Sequence, residues 1–211
     1  MMRLRLTFSK TEAMRYTGHL DLHRAWERTF RRARLPLAYS QGFHPQPRFS
    51  LACALPLGYT SECELIDIWL EQEMTLAEIQ AALIPALPPG IQIESYAAAE
   101  LNAPALQTQV QSAHYGLTFL EPVAGLAQAI ADLLAAEKLP RERRGKPYDL
   151  RPLIEAAEQI APDEEGHARV HLQLAARENA TGRPDEVLNA MQIAIEIVRV
   201  HRTGLVIAQK G

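Results

Sequence analysis

A hydrophobic fraction of 47% over 211 residues is enough for a real core and excludes wholesale disorder. The net charge of -3 and pI near 6.2 exclude a globally basic nucleic-acid binder, so affinity for a polyanion must come from local clusters. The length suits one large domain or two of about 100 residues. Two cysteines, Cys53 and Cys63, are too few for a disulfide scaffold and are expected as buried thiols on adjacent strands. No segment reads as a signal peptide or a membrane helix, so a reduced, soluble, cytoplasmic protein is expected.

In chain order, Arg3 to Phe8 alternates apolar and polar residues and predicts a half-buried strand. Gly18-His19 breaks that pattern. With Asp21 as a candidate cap, a helix is expected to about Arg34, and Pro36 stops it. Phe49 to Leu55 and Cys63 to Glu71 read as strands joined by a Pro56-Leu-Gly-Tyr turn. Thr75 caps a second helix to about Leu87, stopped by Pro88-Pro89-Gly90, and Ile91 opens a fourth strand. Strand, helix, strand, strand, helix, strand is the ferredoxin-like βαββαβ order.

Residues 102–113, rich in Gln and Ala, are the expected junction between domains 1–101 and 114–211. The order then repeats: a strand through Tyr115, Leu117 and Phe119, a helix over 122–137, and a basic loop over 139–146. Residues 148–160 mix strand and helix. A strand through Val170, Leu172 and Leu174, a helix over 184–191 and a strand over 193–200 follow. The expected class is α+β, with two tandem ferredoxin-like halves and antiparallel sheets.

The first helix is the leading site candidate. Leu22, Ala25, Trp26, Thr29, Phe30 and Ala33 form one apolar stripe. Arg24, Arg28, Arg31 and Arg32 take the other side with only Glu27 to offset them, a pattern suited to phosphates. A solvated helix face is the plainer alternative. The loop Tyr39-Ser-Gln-Gly-Phe-His-Pro-Gln-Pro-Arg48 follows. Gly42 frees the backbone, Pro45 and Pro47 stiffen it, and Tyr39, Phe43 and His44 offer rings for stacking beside Arg48. The alternative is a rigid connection with Phe43 in the core.

Arg141, Arg143, Arg144 and Lys146 read as a mobile phosphate-contacting loop around Gly145, or else a solvated one. Arg199, His201 and Arg202 read as an exposed strand end. His19 and His44 could act as an acid–base pair, though catalysis is not the expected role. No P-loop, Rossmann glycine pattern or zinc-protease motif is present, and two cysteines cannot alone hold an iron–sulfur cluster. No metal or cofactor is expected in this chain.

The stretches Gly18-His-Leu-Asp-Leu22, Arg31-Arg-Ala-Arg-Leu-Pro36, Tyr39-Ser-Gln-Gly-Phe-His-Pro45, Arg48-Phe-Ser50, Leu55-Pro-Leu-Gly58 and 61–67 resemble the bacterial radical-SAM-linked proteins of unknown function. Arg144-Gly-Lys146, Asp149-Leu-Arg-Pro152, Arg183-Pro-Asp-Glu-Val-Leu188 and His201-Arg-Thr203 are similar to that family's second half. The resemblance implies a radical SAM partner acting in trans, which would hold the S-adenosylmethionine and the iron–sulfur cluster. The first half also resembles, in architecture only, the tandem ferredoxin-like RNA-binding proteins of CRISPR systems. Three roles follow as expectations. The first is a non-catalytic accessory module that binds RNA, with tRNA foremost. The second is a module docking on the partner without nucleic acid. The third is a metal-independent ribonuclease using His19 and His44.

Overall fold

The alternating N-terminal segment forms β1 (Met2–Lys10), whose Leu4, Leu6 and Phe8 are fully buried. In the computed structural model, which describes residues 1–208, the chain divides into two units, Met1–Gln109 and Val110–Gly211. Residues 209–211, the end of the expected second domain, lie outside the described residues. The protein is mixed α+β, and every ladder named below is antiparallel.

The first unit continues with α1 (His19–Arg32), β2 (Phe49–Leu51), β3 (Thr60–Leu70), α2 (Leu76–Leu83), β4 (Ile91–Ala99) and a single turn, α3 (Leu106–Gln109). β1 pairs with β3 and β4, and β2 pairs with β3, so the order is β4-β1-β3-β2. Leu4 and Leu6 lie beside Ile68 and Ile66 on one face. Leu22, Trp26 and Phe30 of α1 and Ile79 and Leu83 of α2 close over that face. Phe8 meets Trp26 edge-on at 4.9 Å, and Phe30 stacks on Trp26 at 5.2 Å. Removing each such side chain from water stabilises the fold by about 1.5–3 kcal/mol.

The caps differ partly from the sequence expectation. α1 starts at His19 with Gly18 as the extended N-cap. Asp21 instead lies in the first turn, where the helix dipole favours a carboxylate. Thr75 does cap α2, and reciprocally: its Oγ1 accepts from the Glu78 N–H at 3.3 Å, while Glu78 Oε2 accepts from the Thr75 N–H at 2.8 Å. Cys63 lies on β3 and Cys53 just after β2, both half-buried rather than buried and neither in a disulfide.

The second unit runs β5 (Val110–Phe119), α4 (Leu126–Ala135), β6 (Pro140–Arg143), β7 (Lys146–Asp149), β8 (Ile154–Ile160), β9 (Arg169–Arg177), β10 (Ala180–Thr181), α5 (Pro184–Ala190) and β11 (Val198–Ile207). β5 pairs with β9 and β11, and β9 with β8, so the order is β11-β5-β9-β8. Each unit thus places its first strand between its last strand and its next-to-last main strand.

Three expectations are corrected here. The basic loop is a β6–β7 hairpin, turned by Arg144 at φ 53° and Gly145 at φ 76°. Two successive positive φ values match the twist of a hairpin. The last strand begins at Val198, because Ile195–Ile197 form a 3-10 turn. Alternating Ile193, Ile195 and Ile197 report one-sided burial, which a link can meet without a ladder. Arg202 is not at an exposed strand end: it is buried, and its Nη2 donates to the Tyr115 hydroxyl at 3.1 Å. No helix among the described residues is long and apolar enough to cross a membrane.

Candidate nucleic-acid interface

The stripe on α1 fixes which way its arginines point. With Leu22, Trp26, Thr29 and Phe30 buried, Arg24, Arg28, Arg31 and Arg32 are all exposed. Arg34, just past the helix, joins them at φ 53°. Their charge is partly met within the chain. Arg24 pairs with Asp21 at 3.2 Å and Arg31 with Glu27 at 2.8 Å. Arg32 donates to the Ala86 carbonyl at 3.2 Å. Arg28 has no ion-pair partner among the described residues. Exposed i,i+3 and i,i+4 pairs contribute only about 0.3–0.5 kcal/mol each and exchange readily for another anion. Five arginines against two carboxylates leave this surface cationic.

The Gly/Pro loop closes on itself. Tyr39 and Pro47 form an isolated bridge, the Ser40 N–H donates to the Gln46 carbonyl at 2.8 Å, and the Gln46 N–H donates to Ser40 Oγ at 2.9 Å. Its base is tied to β3, where the Ala38 N–H donates to the Trp69 carbonyl at 2.8 Å and the Trp69 N–H to the Arg48 carbonyl at 3.1 Å. Gly42 at φ 131° supplies the turn that other residues rarely adopt. Phe43 is 101% exposed, so the core alternative for it is wrong. His44 and Tyr39 are exposed beside it. The loop base lies at the Leu70 end of β3, which is also where α1 delivers Arg31, Arg32 and Arg34, because Leu37 bridges to Leu70.

Arg48 does not join this group. Phe49 and Leu51 face the core beside Ile68 and Ile66, so strand parity sends Arg48 and Ser50 to the opposite face of the sheet. There the Arg48 guanidinium lies 5.0 Å from the Trp69 ring centroid, and Arg3 lies 4.7 Å from it.

His19 and His44 are not brought together either. His19 opens α1 and feels the field of Glu64. The loop bearing His44 is tied to Trp69 and Leu70, five and six residues further along β3, or roughly 17–20 Å at 3.3 Å per residue. Burial, then the neighbouring His23, hold the His19 pKa below its usual value, with Glu64 opposing them.

In the second unit the basic residues divide. Arg143 is held by Glu186 through two hydrogen bonds, that from Nε to Oε1 being 3.0 Å, and by the Thr181 carbonyl at 3.0 Å. Its guanidinium also covers the Tyr148 ring at 5.0 Å. Burial, followed by a hydrogen bond to Glu186, pushes the Tyr148 phenol up to about 12. Arg141 is half-buried and donates to the Pro140 carbonyl at 2.8 Å. Of the four basic hairpin residues, Arg144 and Lys146, at the tip, extend into solvent with no hydrogen bond or ion pair among the described residues.

Residues 3–184 match a family described as an uncharacterized protein conserved in bacteria, DUF2344. The chain belongs to that family. No curated protein sequence matches it. Among solved structures the DUF2344 chain is similar to one chain of a Cbf5–Nop10–Gar1 complex, with a TM-score of 0.52 and 8% identity. The likeness covers 96% of this chain and 48% of that one, so the chain spans about half the length of that protein. Identity this low speaks to the fold alone.

Two features of the DUF2344 chain escape sequence reasoning. Asp67 is fully buried between Arg3 and Arg5. The signal was present as a lone carboxylate in the apolar run Leu65-Ile-Asp-Ile-Trp-Leu70, facing two arginines in an alternating strand. In the second unit, His114 and His171 meet at 3.0 Å although 57 residues separate them. Only the polar parity of two strands hinted at that contact.

Proposed function

We propose that this chain is a non-catalytic accessory module that binds RNA, with tRNA the first class to test, and presents it to a radical SAM partner in the cytoplasm. The observation that carries it is Phe43, a fully exposed aromatic ring at the tip of a braced loop, at the same end of the sheet as the cationic end of α1. A phenyl ring wholly in water adds nothing to the core, and with Tyr39 also exposed on this loop it leaves aromatic surface free for a ligand. Unstacked bases are bound by rings of this kind next to arginines. Arg28, Arg31, Arg32 and Arg34 would neutralise phosphates, while Phe43, Tyr39 and His44 would stack on bases. The radical SAM partner rests on the sequence resemblance. We also read both units as ferredoxin-like, a reading supported by the shared strand order β4-β1-β3-β2 and β11-β5-β9-β8.

Filter binding against salt tests the proposal. The logarithm of affinity should fall with that of salt by about 0.7–0.9 per neutralised phosphate. Arg28→Glu with Arg31→Glu should abolish binding while leaving the fold intact. RNA binding that is absent, or indifferent to salt, would remove the idea.

A second role is favoured by one observation. Asp21 and Glu27 already pair two of the helix arginines, and an exposed Phe fits a protein pocket as well as a base stack. The chain would then dock on its partner without nucleic acid. Nuclease treatment that leaves co-purification intact, with no RNA in the purified protein, would select this role. The separation of His19 from His44 gives the ribonuclease no assembled site.

A further inference from the structure

The exposed face of the second unit's sheet carries an imidazole pair that RNA binding through α1 does not use. β5 buries Ala113, Tyr115, Leu117 and Phe119, so parity turns His114, Gly116 and Thr118 to the other side. β9 buries Val170, Leu172 and Leu174 and turns His171 and Gln173 to that same side. Glycines stand opposite both rings: Gly116 faces His171, and Gly204 of β11 faces His114. A Cβ on Gly204 would stand 3.3 Å from Cδ2 of His114, so the absence of a side chain there seats the ring. The two imidazoles lie 13° from parallel with centroids 5.2 Å apart, and His114 Nδ1 is 3.0 Å from His171 Nε2.

The outer contacts select the tautomers. His171 Nδ1 lies 3.2 Å from Glu158 Oε1, so this nitrogen carries a proton and Nε2 offers its lone pair. A carboxylate holding the far nitrogen of an imidazole is the arrangement that orients a metal-ligating histidine. Glu155 acts on His114 from nearby, its Oε2 accepting from Ser112 Oγ at 2.5 Å and Gln173 Nε2 at 2.9 Å. Glu155 is itself paired with Arg177, whose Nη2 lies 3.5 Å from its Oε1, so Glu158 is the carboxylate that suits the two converging ring nitrogens to a cation rather than an anion.

We propose that His114 Nδ1 and His171 Nε2 bind a borderline divalent cation of the zinc class in an open site, with Glu158 orienting His171 and water completing the coordination. Zinc–nitrogen bonds of about 2.0–2.1 Å in a tetrahedral site put two ligand nitrogens roughly 3.3 Å apart. The pair opens by a few tenths of an ångström and tilts to admit the ion. The proton now shared by the pair moves from Nδ1 to Nε2 of His114 through solvent, so the neutral pair releases none. No group of three or more His, Cys, Asp or Glu side chains suited to a metal is gathered among the described residues. The site is therefore weaker than a structural zinc centre and keeps positions open for an exchangeable ligand. This inference is independent of RNA binding.

Calorimetric titration of the chelator-treated full chain with zinc chloride near neutral pH tests it. One zinc ion per chain should bind. His114→Ala and His171→Ala should each weaken binding at least tenfold, and Glu158→Gln by about 10–100-fold. His23→Ala, on α1 where the ring stacks on Phe49, should leave the zinc affinity unchanged. Circular dichroism confirms that each variant is folded, and cobalt substituted for zinc reports nitrogen ligation by its visible spectrum. No binding at millimolar zinc overturns the proposal. So does undiminished affinity in the folded His114→Ala/His171→Ala double variant, or loss of binding on His167→Ala alone, which would move the ion to the His167–Asp163 pair.

Discussion

Arg3 reaches diagonally from β1 to Asp67 on β3, its Nη2 lying 2.6 Å from Oδ2, and at 2% and 0% exposure neither side chain meets water. Arg5, directly opposite Asp67, takes Oδ1 at 2.7 Å. The spare N–H groups of Arg3 donate to the carbonyls of Ala103 at 2.7 Å and Pro104 at 3.0 Å. One aspartate thus holds two arginines and, through Arg3, ties segment 100–109 to the first sheet. Removing it leaves a buried guanidinium uncompensated. Asp67→Ala should cost about 3–5 kcal/mol of stability, read as a lower urea midpoint. A loss under about 1 kcal/mol would mean that water or relaxation replaces the carboxylate.

Phe43 should behave in the opposite way. Its ring touches solvent on all sides, so Phe43→Ala is expected to leave the thermal midpoint unchanged. RNA affinity should fall by about 1–3 kcal/mol, the worth of one stacked base. Parallel melting and filter-binding measurements separate the two effects. Unchanged affinity would take the loop out of the interface.

Trp26 is fully buried between Phe8 and Phe30, and no smaller side chain fills its volume. Trp26→Ala should cost about 3–5 kcal/mol. The loss should appear in the unfolding free energy of the first unit, and α1 should become susceptible to proteolysis. A well-folded variant with native stability would show that the arginine face does not depend on this seam.

Stability should also vary with pH in a definite direction. His19 and His114 both titrate below the usual imidazole value of about 6.5, chiefly because burial disfavours their charged forms. Between the lowered folded value and 6.5 the unfolded chain binds more protons, so stability rises with pH across that window. The contribution is complete above 6.5 and declines as the pH falls below it. Urea midpoints measured from neutral to mildly acidic pH should show this decline, and His19→Gln with His114→Gln should flatten it. Glu78, Asp149 and Asp163, held below their usual values, act at more acidic pH and do not confuse the window.

Local physics was legible along the chain. The apolar stripe of the first helix, the Thr75–Glu78 capping box and the alternation of β1, β5 and β9 each depend on neighbours within a few residues, and each stands in the sequence. So does the exposure of the four helix arginines, because burying Trp26 and Phe30 leaves them one direction to face. Tertiary structure decided what depends on residues far apart in the chain. It put Phe43 in water and carried Arg48 to the other sheet face, because pairing of β2 with β3 sets its parity. It locked Arg143 to Glu186, 43 residues away, and joined His114 to His171 across two strands. Periodicity reports which side of an element is buried, whereas the identity of the opposing side chain comes only from strand register.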